Sequence, residues 1–508
     1  MIIDDQHYDI IIVGTGAGGG TLAQKLAPTG KRILILERGS GMALEDQNLA
    51  GVDVLKNQRY HAPEQWYDQA GEPFSPQTNY AIGGNTKIYG ASLMRMRDRD
   101  FESVTYQDGV APEWPLKYAD FAPYYTAAEQ LYQVHGDYGP EGGPDPTEPS
   151  HSQDYPYPAV EHEPLMQPIV DAIAQQGLHP APLPLSLTRQ DDDPTGDAEV
   201  FGINPALKYD NVTLKTSARV VSLHTNPAGT EIKGVQAEVG QQAILFTGHI
   251  VVLACGAVNS AALMLGSANE KHPNGLANHS DQLGRNLMKP QMTVIVERGA
   301  ANNSGTFPRS VSINDFYWGD GDYTYPMGHI ENTGGLLQDV IFAESPPLLS
   351  VIAKRMPGAG LKQLAVRSIG WWAQTGVLPN PNNRVYWQKQ KLRFEFTPNN
   401  TEAHDRLVYK WLEVLKALEK TSKDVQRSGV YPRGEAPVQV VGYQSGTCRM
   451  GSDPAASVLD VNCRTHEIDN LYVVDSSFFP SCASVSPALT VMANALRVGD
   501  HLVARLEG

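Results

Sequence analysis

Tyr8-Asp-Ile-Ile-Ile-Val13, followed at once by Gly14-Thr-Gly-Ala-Gly-Gly-Gly20, is the stretch whose reading decides the fold. The first six residues form a short apolar run with polar flanks, the pattern of a parallel strand buried on both faces. Gly14 to Gly20 read as a turn, and Thr21 to Ala27 carry helical periodicity until Pro28-Thr29-Gly30 stop it. Ile33-Leu-Ile-Leu36 is then a second strand, so the segment is one βαβ unit. Within the turn, Gly14, Gly16 and Gly19 have the spacing of a dinucleotide-binding fingerprint, with Ala17 and Gly18 completing it. Gly14 permits the tight turn, Gly16 lets backbone approach a pyrophosphate, and Gly19 lets helix and strand pack closely. The helix N-terminus adds unpaired N–H groups and a partial positive charge. Glu37 ends the second strand, with Arg38 after it. A carboxylate there accepts both ribose hydroxyls and repels the 2′-phosphate of NADP. FAD and NAD share this fingerprint, so it names a dinucleotide without choosing one.

At 508 residues the chain exceeds what one core serves, and two or more lobes are expected. Its net charge of −16 argues against a general grip on nucleic acid or on an anionic membrane, both of which need clustered Lys/Arg. Cys255, Cys448, Cys463 and Cys482 show no CxxC spacing, so packed, reduced thiols are expected and no metal set is read. The N-terminus shows no basic region or cleavage site, and no stretch of about 18 apolar residues occurs. A cytoplasmic protein without a membrane span is the resulting expectation. GxSxG and GxxxxGK[ST] are both missing, which disfavours a serine hydrolase and a Walker-type NTPase.

Two later runs repeat the strand-then-turn pattern. His249-Ile-Val-Val-Leu-Ala254 enters a turn at Gly256 and a helical stretch from Ser260 to Leu265. Leu471-Tyr-Val-Val474 leads into Asp475 and a closing helix from Thr490 to about Leu506. A nucleotide-binding domain assembled from such distant pieces implies insertions between them. Residues 136–158 read as a long loop, either a lid or a solvated linker. Asp191-Asp-Asp193 reads as a solvated loop, and Trp371-Trp372 as buried in the second lobe rather than touching a membrane.

Taken in order, the N-terminal unit, Gly83-Gly-Asn-Thr-Lys-Ile-Tyr-Gly90, Glu113-Trp-Pro115, Gly446-Thr-Cys-Arg-Met-Gly451, Asn470–Asp475 and Pro487–Arg497 closely resemble the glucose–methanol–choline (GMC) oxidoreductases, especially their bacterial branch. The resemblance covers nearly the whole chain. It implies an α/β fold: a Rossmann-like FAD-binding domain and an α+β substrate domain built on an antiparallel sheet. The FAD domain would comprise residues 1–105, 205–290 and 441–508. The substrate domain would comprise 106–204, with the lid-like loop, and 291–440. Carried over, the N-terminal turn and Glu37 hold the ADP half, while Gly83, Gly84, Asn85, Tyr89 and Gly90 lie along the flavin. Val220 contacts adenine through its backbone, Ala254 and Gly256 form a second flavin-domain turn, Asp475 binds the ribityl chain, and Pro487 lies near the pyrimidine end. No His or Cys suggests a flavin attachment point, so non-covalent FAD is expected. The partners implied are a small-molecule substrate and an electron acceptor, O2 or quinone-like.

The sequence departs from this family where its chemistry is done. The family removes a proton from a substrate hydroxyl as hydride passes to the flavin, using a histidine three residues before the Gly-Thr and a His or Asn before the final proline. Here those positions are Tyr443 and Ser486. A phenol with a pKa near ~10 is a poor base at neutral pH, and a serine is poorer. Three readings stay open: an alcohol or sugar oxidoreductase with its base elsewhere, a flavoprotein running another dehydrogenation, a light-driven or a lyase-type step, and a non-catalytic flavin-binding protein. For the first, the candidate base is His329, in the alternating segment Tyr325–Ile330, since an imidazole titrates near neutrality.

Overall fold

Strand β1 spans Ile2–Val13, and its last four residues, the apolar run, are buried. It belongs to a computed structural model that describes residues 2–42, 62–76, 78–139, 143–187, 196–299, 309–334, 367–421, 425–435 and 443–507. Helix α1 (Ala17–Leu26) begins inside the glycine run, four residues earlier than its periodicity suggests. Gly18, Gly19 and Gly20 are buried in its first turn, and glycines carry no side chain to betray a period. A short 3₁₀ turn through Pro28 then ends at Gly30, whose φ of 71° reverses the chain.

Strand β2 (Ile33–Leu36) lies beside β1. The sheet is completed by β3 (Val212–Lys215), β4 (Ala218–Thr225), β5 (Ile232–Val239), β6 (Gln242–Leu253) and β7 (Leu471–Val473). The order is β3-β2-β1-β6-β5-β4, with β7 also paired to β6. The pairs β3–β2, β2–β1, β1–β6 and β6–β7 are parallel, while β6–β5 and β5–β4 are antiparallel. Val13 stands opposite both Leu36 and Leu253, and Leu253 opposite Val473. Strands from three distant segments therefore end level, and the turns after them share one edge. Helices α2 (Ala257–Gly266) and α3 (Ala488–Glu507) join this lobe, and α3 packs on α1.

The second lobe holds a six-stranded sheet in the order 425–435, Gln291–Gly299, Ser368–Thr375, His329–Gly334, Val311–Ile313, Ala181–Pro182, with every pair antiparallel. Helix Thr401–Thr421 covers one face. Its buried Leu407, Trp411, Leu415 and Leu418 recur at three- and four-residue steps and pack with Trp371, Ile295 and Ile330. Alternation along the strands sends the neighbours of those residues the other way. Trp371 is fully buried against the helix, with its ring 4.7 Å from that of Trp411, whereas Trp372 is half-buried and faces a cleft between the lobes.

Segment 136–158 is tethered, which corrects the expectation of a lid or solvated linker. The Asp145 carboxylate is buried and bonded to Arg97 at 2.6 Å and to Asn314 at 2.7 Å, while Tyr155 is also buried. Asp191-Asp-Asp193 lies outside the described residues. Among the described residues, no helix is long and apolar enough to cross a membrane.

Candidate active site

The level ends of β1, β2, β6 and β7 open onto a cleft of about 1400 Å³, roofed by the exposed face of the second sheet. A single small-molecule site usually takes about 300–1,000 Å³, so this cleft has room for a dinucleotide and a substrate together. The edge where parallel strands end is also where open α/β sheets bind ligands.

Backbone closes one end. Gly14 has φ +102°, and a Cβ there would stand 2.4 Å from the Ala254 carbonyl oxygen. A Cβ on Gly18 would stand 2.3 Å from the Val474 oxygen, and one on Gly19 only 2.0 Å from that of Gly14. Gly16 differs: its missing Cβ would meet nothing nearer than the Gly83 oxygen at 3.9 Å, so its bare backbone fronts the cleft. The N-terminus of α1 has no side-chain cap and no acidic residue in its first turn, which leaves its amides and partial positive charge for an anion. The donor set thus fits a pyrophosphate. Glu37 is 6 % exposed, and burial pushes its carboxyl up. Its Oε2 accepts from Thr15 N at 3.1 Å and its Oε1 from Gly39 N at 2.8 Å, which fixes the group at the cleft wall with acceptor capacity left over. Arg38 bonds Glu64 and lies 3.8 Å from the centre of the Tyr80 ring.

The second glycine turn sits on the first. Gly83 (φ +89°) and Gly84 (φ +55°) lead into a 3₁₀ turn, and Gly83 N donates to Thr15 Oγ1 at 3.1 Å. Asn85 Oδ1 accepts from Asn79 N at 2.8 Å, and Asn85, Tyr89 and Gly90 line the cleft. Val220 lines it where β4 bulges: the pairing jumps from Val220↔Ala237 to Ser222↔Gln236 and leaves Val221 without a partner residue. Ala254, Cys255 and Gly256 follow, with Gly256 N donating to Asp475 Oδ2 at 3.0 Å. Asp475 also accepts from Ser477 N at 3.0 Å and from the hydroxyls of Ser260 and Ser477, although burial pushes its carboxyl up. The Cys255 thiol, also on the cleft wall, is pushed up to about 12 by burial.

Side chains close the other end. Tyr443, Ser486 and Pro487 line it together with Val294, Thr333 and Trp372 from the second sheet, and Arg309. The Arg309 guanidinium lies over Gly90, where a Cβ would stand 1.6 Å from Nη1, and it pairs with buried Glu331. Burial pushes the Glu331 carboxyl up, but Arg309, His329 and Ser92 outweigh it and hold the group at about 2. Burial and Glu331 push the Tyr443 phenol well above its ordinary value, and Arg309 only partly opposes them.

His329 stands elsewhere than its candidate role requires. It is 2 % exposed and absent from the cleft wall; Nδ1 lies 2.8 Å from Asn314 Oδ1 and Nε2 3.4 Å from Glu331 Oε2. It shares the sheet face of Glu331, and its ring is engaged by that carboxylate and by Asn314 and does not line the cleft. Sequence reasoning missed Arg309, Thr333 and Trp372 as cleft residues. They lie in the inserts, and only register places them.

A family model described as GMC oxidoreductase matches residues 382–495. The chain is 28 % identical to 6'''-hydroxyparomomycin C oxidase of Streptomyces lividus, covering 98 % of this chain and 93 % of that protein. It is 24 % identical to the fructose dehydrogenase large subunit of Gluconobacter japonicus, covering 98 % of each. Its fold matches the crystal structure of pyridoxine 4-oxidase from Mesorbium loti, with a TM-score of 0.71 at 18 % identity over 97 % of this chain and 99 % of that one. It also matches formate oxidase, with a TM-score of 0.72 at 16 % identity over 99 % of both chains. Residues 382–495 thus match the GMC oxidoreductase family, and likeness to oxidases and dehydrogenases runs the length of the chain, in keeping with a FAD-dependent enzyme acting on CH–OH groups.

Proposed function

We propose that the protein oxidises an alcohol or sugar hydroxyl at the side-chain end of the cleft, and that Tyr443 and Ser486 do by hydrogen bonding what a His/Asn pair does in its relatives. The observation that carries this reading is that both side chains share the cleft wall with Pro487 and Arg309. Gly14, Gly16, Ala17, Gly18 and Gly19 would hold the FAD pyrophosphate, Glu37 the ribose, Val220 the adenine and Asp475 the ribityl chain. Gly84, Asn85, Tyr89 and Gly90 would lie along the ring. We read the FAD as non-covalent, since a Cys255 thiol raised to about 12 is a poor nucleophile. FAD, when bound, supplies the acceptor for a hydride from the carbon that bears the hydroxyl.

The Tyr443 phenol stays protonated at neutral pH, so it donates a hydrogen bond to the substrate oxygen and takes no proton. Ser486 orients the same hydroxyl. Arg309 faces the charge that develops on that oxygen as its proton leaves for water, and electrostatic stabilisation takes the place of a positioned base. The six-stranded sheet serves as the floor of the substrate domain through Val294, Thr333 and Trp372. A second reading, a different dehydrogenation, rests on one observation: no imidazole lines the described cleft wall.

The deciding experiment mixes the yellow holoenzyme anaerobically with alcohols, aldoses and amino sugars, then admits air or a quinone. Flavin bleaching by a hydroxyl compound, with recovery on reoxidation, is the expected result. Bleaching by dithionite alone across the panel sinks the proposal.

A further inference from the structure

Away from the cleft, three loops of the first lobe converge on two histidines and a glutamate. His272 follows a turn in which Asn269 Oδ1 accepts from Lys271 N at 2.9 Å and from His272 N at 3.0 Å. Its ring is 4 % exposed, and Nε2 lies 2.8 Å from the Gly229 carbonyl oxygen in the β4–β5 hairpin. A carbonyl only accepts, so Nε2 carries the proton and, in the neutral ring, Nδ1 presents a lone pair. That Nδ1 is buried with no hydrogen-bond partner and faces Glu467 Oε2 at 3.5 Å. A lone pair and a carboxylate oxygen that face each other leave a place for a cation between them. His279 completes the trio: its Nδ1 contacts the same Oε2, and its backbone N donates to Glu467 Oε1 at 3.0 Å. One ligand atom from each residue lies within 4.8 Å of the other two.

We propose that His272, His279 and Glu467 bind a divalent transition-metal ion of the zinc type. Two imidazoles and a carboxylate suit zinc, and bonds of about 2.0–2.2 Å in a tetrahedron set ligand atoms about 3.4 Å apart. The His272–Glu467 separation already matches, and the exposed His279 ring has the freedom to complete the set. The hydrogen bond from His272 Nε2 to Gly229 fixes the tautomer that ligation needs, as outer-shell partners of metal-bound histidines do. A fourth position stays open to water.

The ion would act as a staple. His272 and His279 lie just beyond the C-terminal end of α2, whose first residue follows cleft-lining Gly256, and Glu467 lies just before β7, which leads to Asp475. Binding would join the far ends of the two elements that meet through the Gly256–Asp475 hydrogen bond. The six-residue gap between the histidines and the remote glutamate match no metal-ligand spacing, which is why the sequence reads as metal-free.

The test titrates ZnCl2 alone into EDTA-dialysed holoenzyme by calorimetry at neutral pH, with thermal melts alongside. His279→Ala and Glu467→Gln change exposed or half-buried side chains and spare the fold. One equivalent of Zn2+ bound at micromolar or lower Kd, a raised Tm, and at least tenfold weaker binding in each variant are expected. Equal affinity in wild type and variants, or no binding at 1 mM Zn2+ (about a 10³-fold excess over a micromolar Kd), would make the trio a plain ion-paired cluster and overturn the proposal. Neither outcome depends on the substrate panel.

Discussion

The two ends of the cleft are built from different materials. At the glycine end the walls are main chain: Gly14, Gly18 and Gly19 touch the carbonyls of Ala254, Val474 and Gly14 at distances no side chain tolerates. At the other end the walls are interchangeable side chains, Tyr443, Ser486, Arg309 and Trp372, drawn from both lobes. Main chain cannot be substituted, so the first end has one solution. Side chains can be exchanged without moving the scaffold, so the second end is where a protein of this fold changes its chemistry.

That contrast breaks most visibly at Gly19. Gly19→Val drives a side chain into the Gly14 carbonyl and separates helix from strand. Purified protein is expected colourless, with a cost of about 3 kcal/mol or more; full flavin content would show that the backbone end is not rigid. Next comes Arg309→Met, which strands the buried Glu331 carboxylate. A loss of about 3–5 kcal/mol in denaturant unfolding is expected, largely recovered in Arg309→Met/Glu331→Gln, with flavin content intact throughout. An unrecovered double variant would mean that Arg309 matters for packing and not as a counter-charge.

Asp475→Ala removes the acceptor of Gly256 N, Ser260 and Ser477. Weaker FAD retention by about 2–3 kcal/mol in a dialysis assay is expected, without a change in substrate KM. Tyr443→Phe is the converse probe. It keeps shape and burial, so flavin content should not move while the anaerobic reduction rate falls about tenfold or more. An unchanged rate removes Tyr443 from the chemistry.

A pH-dependent effect lies in the second lobe, at Glu297, fully buried beneath the sheet with Trp371 Nε1 donating to it at 3.0 Å. Burial raises its carboxyl to about 7 from 4.5. The folded state therefore holds the proton more tightly than the unfolded chain does. Stability is full below pH 4.5 and falls as pH rises through about 7, by up to about 3 kcal/mol. Glu297→Gln should flatten that part of the stability profile; an unaltered slope between pH 5 and 8 assigns the loss to another group.

What the sequence revealed follows the same division. A turn that demands glycine, an acid at a strand end and an apolar run between polar flanks are local, and Gly14, Glu37 and Ile10–Val13 could be read directly. The start of α1 was misplaced because Gly18–Gly20 carry no periodicity. His329 was drawn to the site by alternation along its strand. The strand does present that face to the cleft, but Glu331 and Asn314 stand around the ring, and only pairing across the sheet reveals them. Arg309 and Trp372 gave no signal, since a lone Arg in an insert and a Trp pair in an apolar run look alike whether they face helix or cleft.

The level ends of β1, β6 and β7 also set a timetable. Val13 pairs with Leu253, and Leu253 with Val473, so the parallel edge cannot be completed until the chain has been made as far as Val473. Non-local pairing of this kind costs loop-closure entropy before any contact repays it. During synthesis the N-terminal strand waits with one edge unpaired for a partner some 240 residues away, and for a further neighbour to that partner some 460 away. The glycine turn is made long before the strands that give it its full setting. Cofactor capture is therefore a closing event of biogenesis, and a chain truncated before Leu471 would carry the fingerprint without the site.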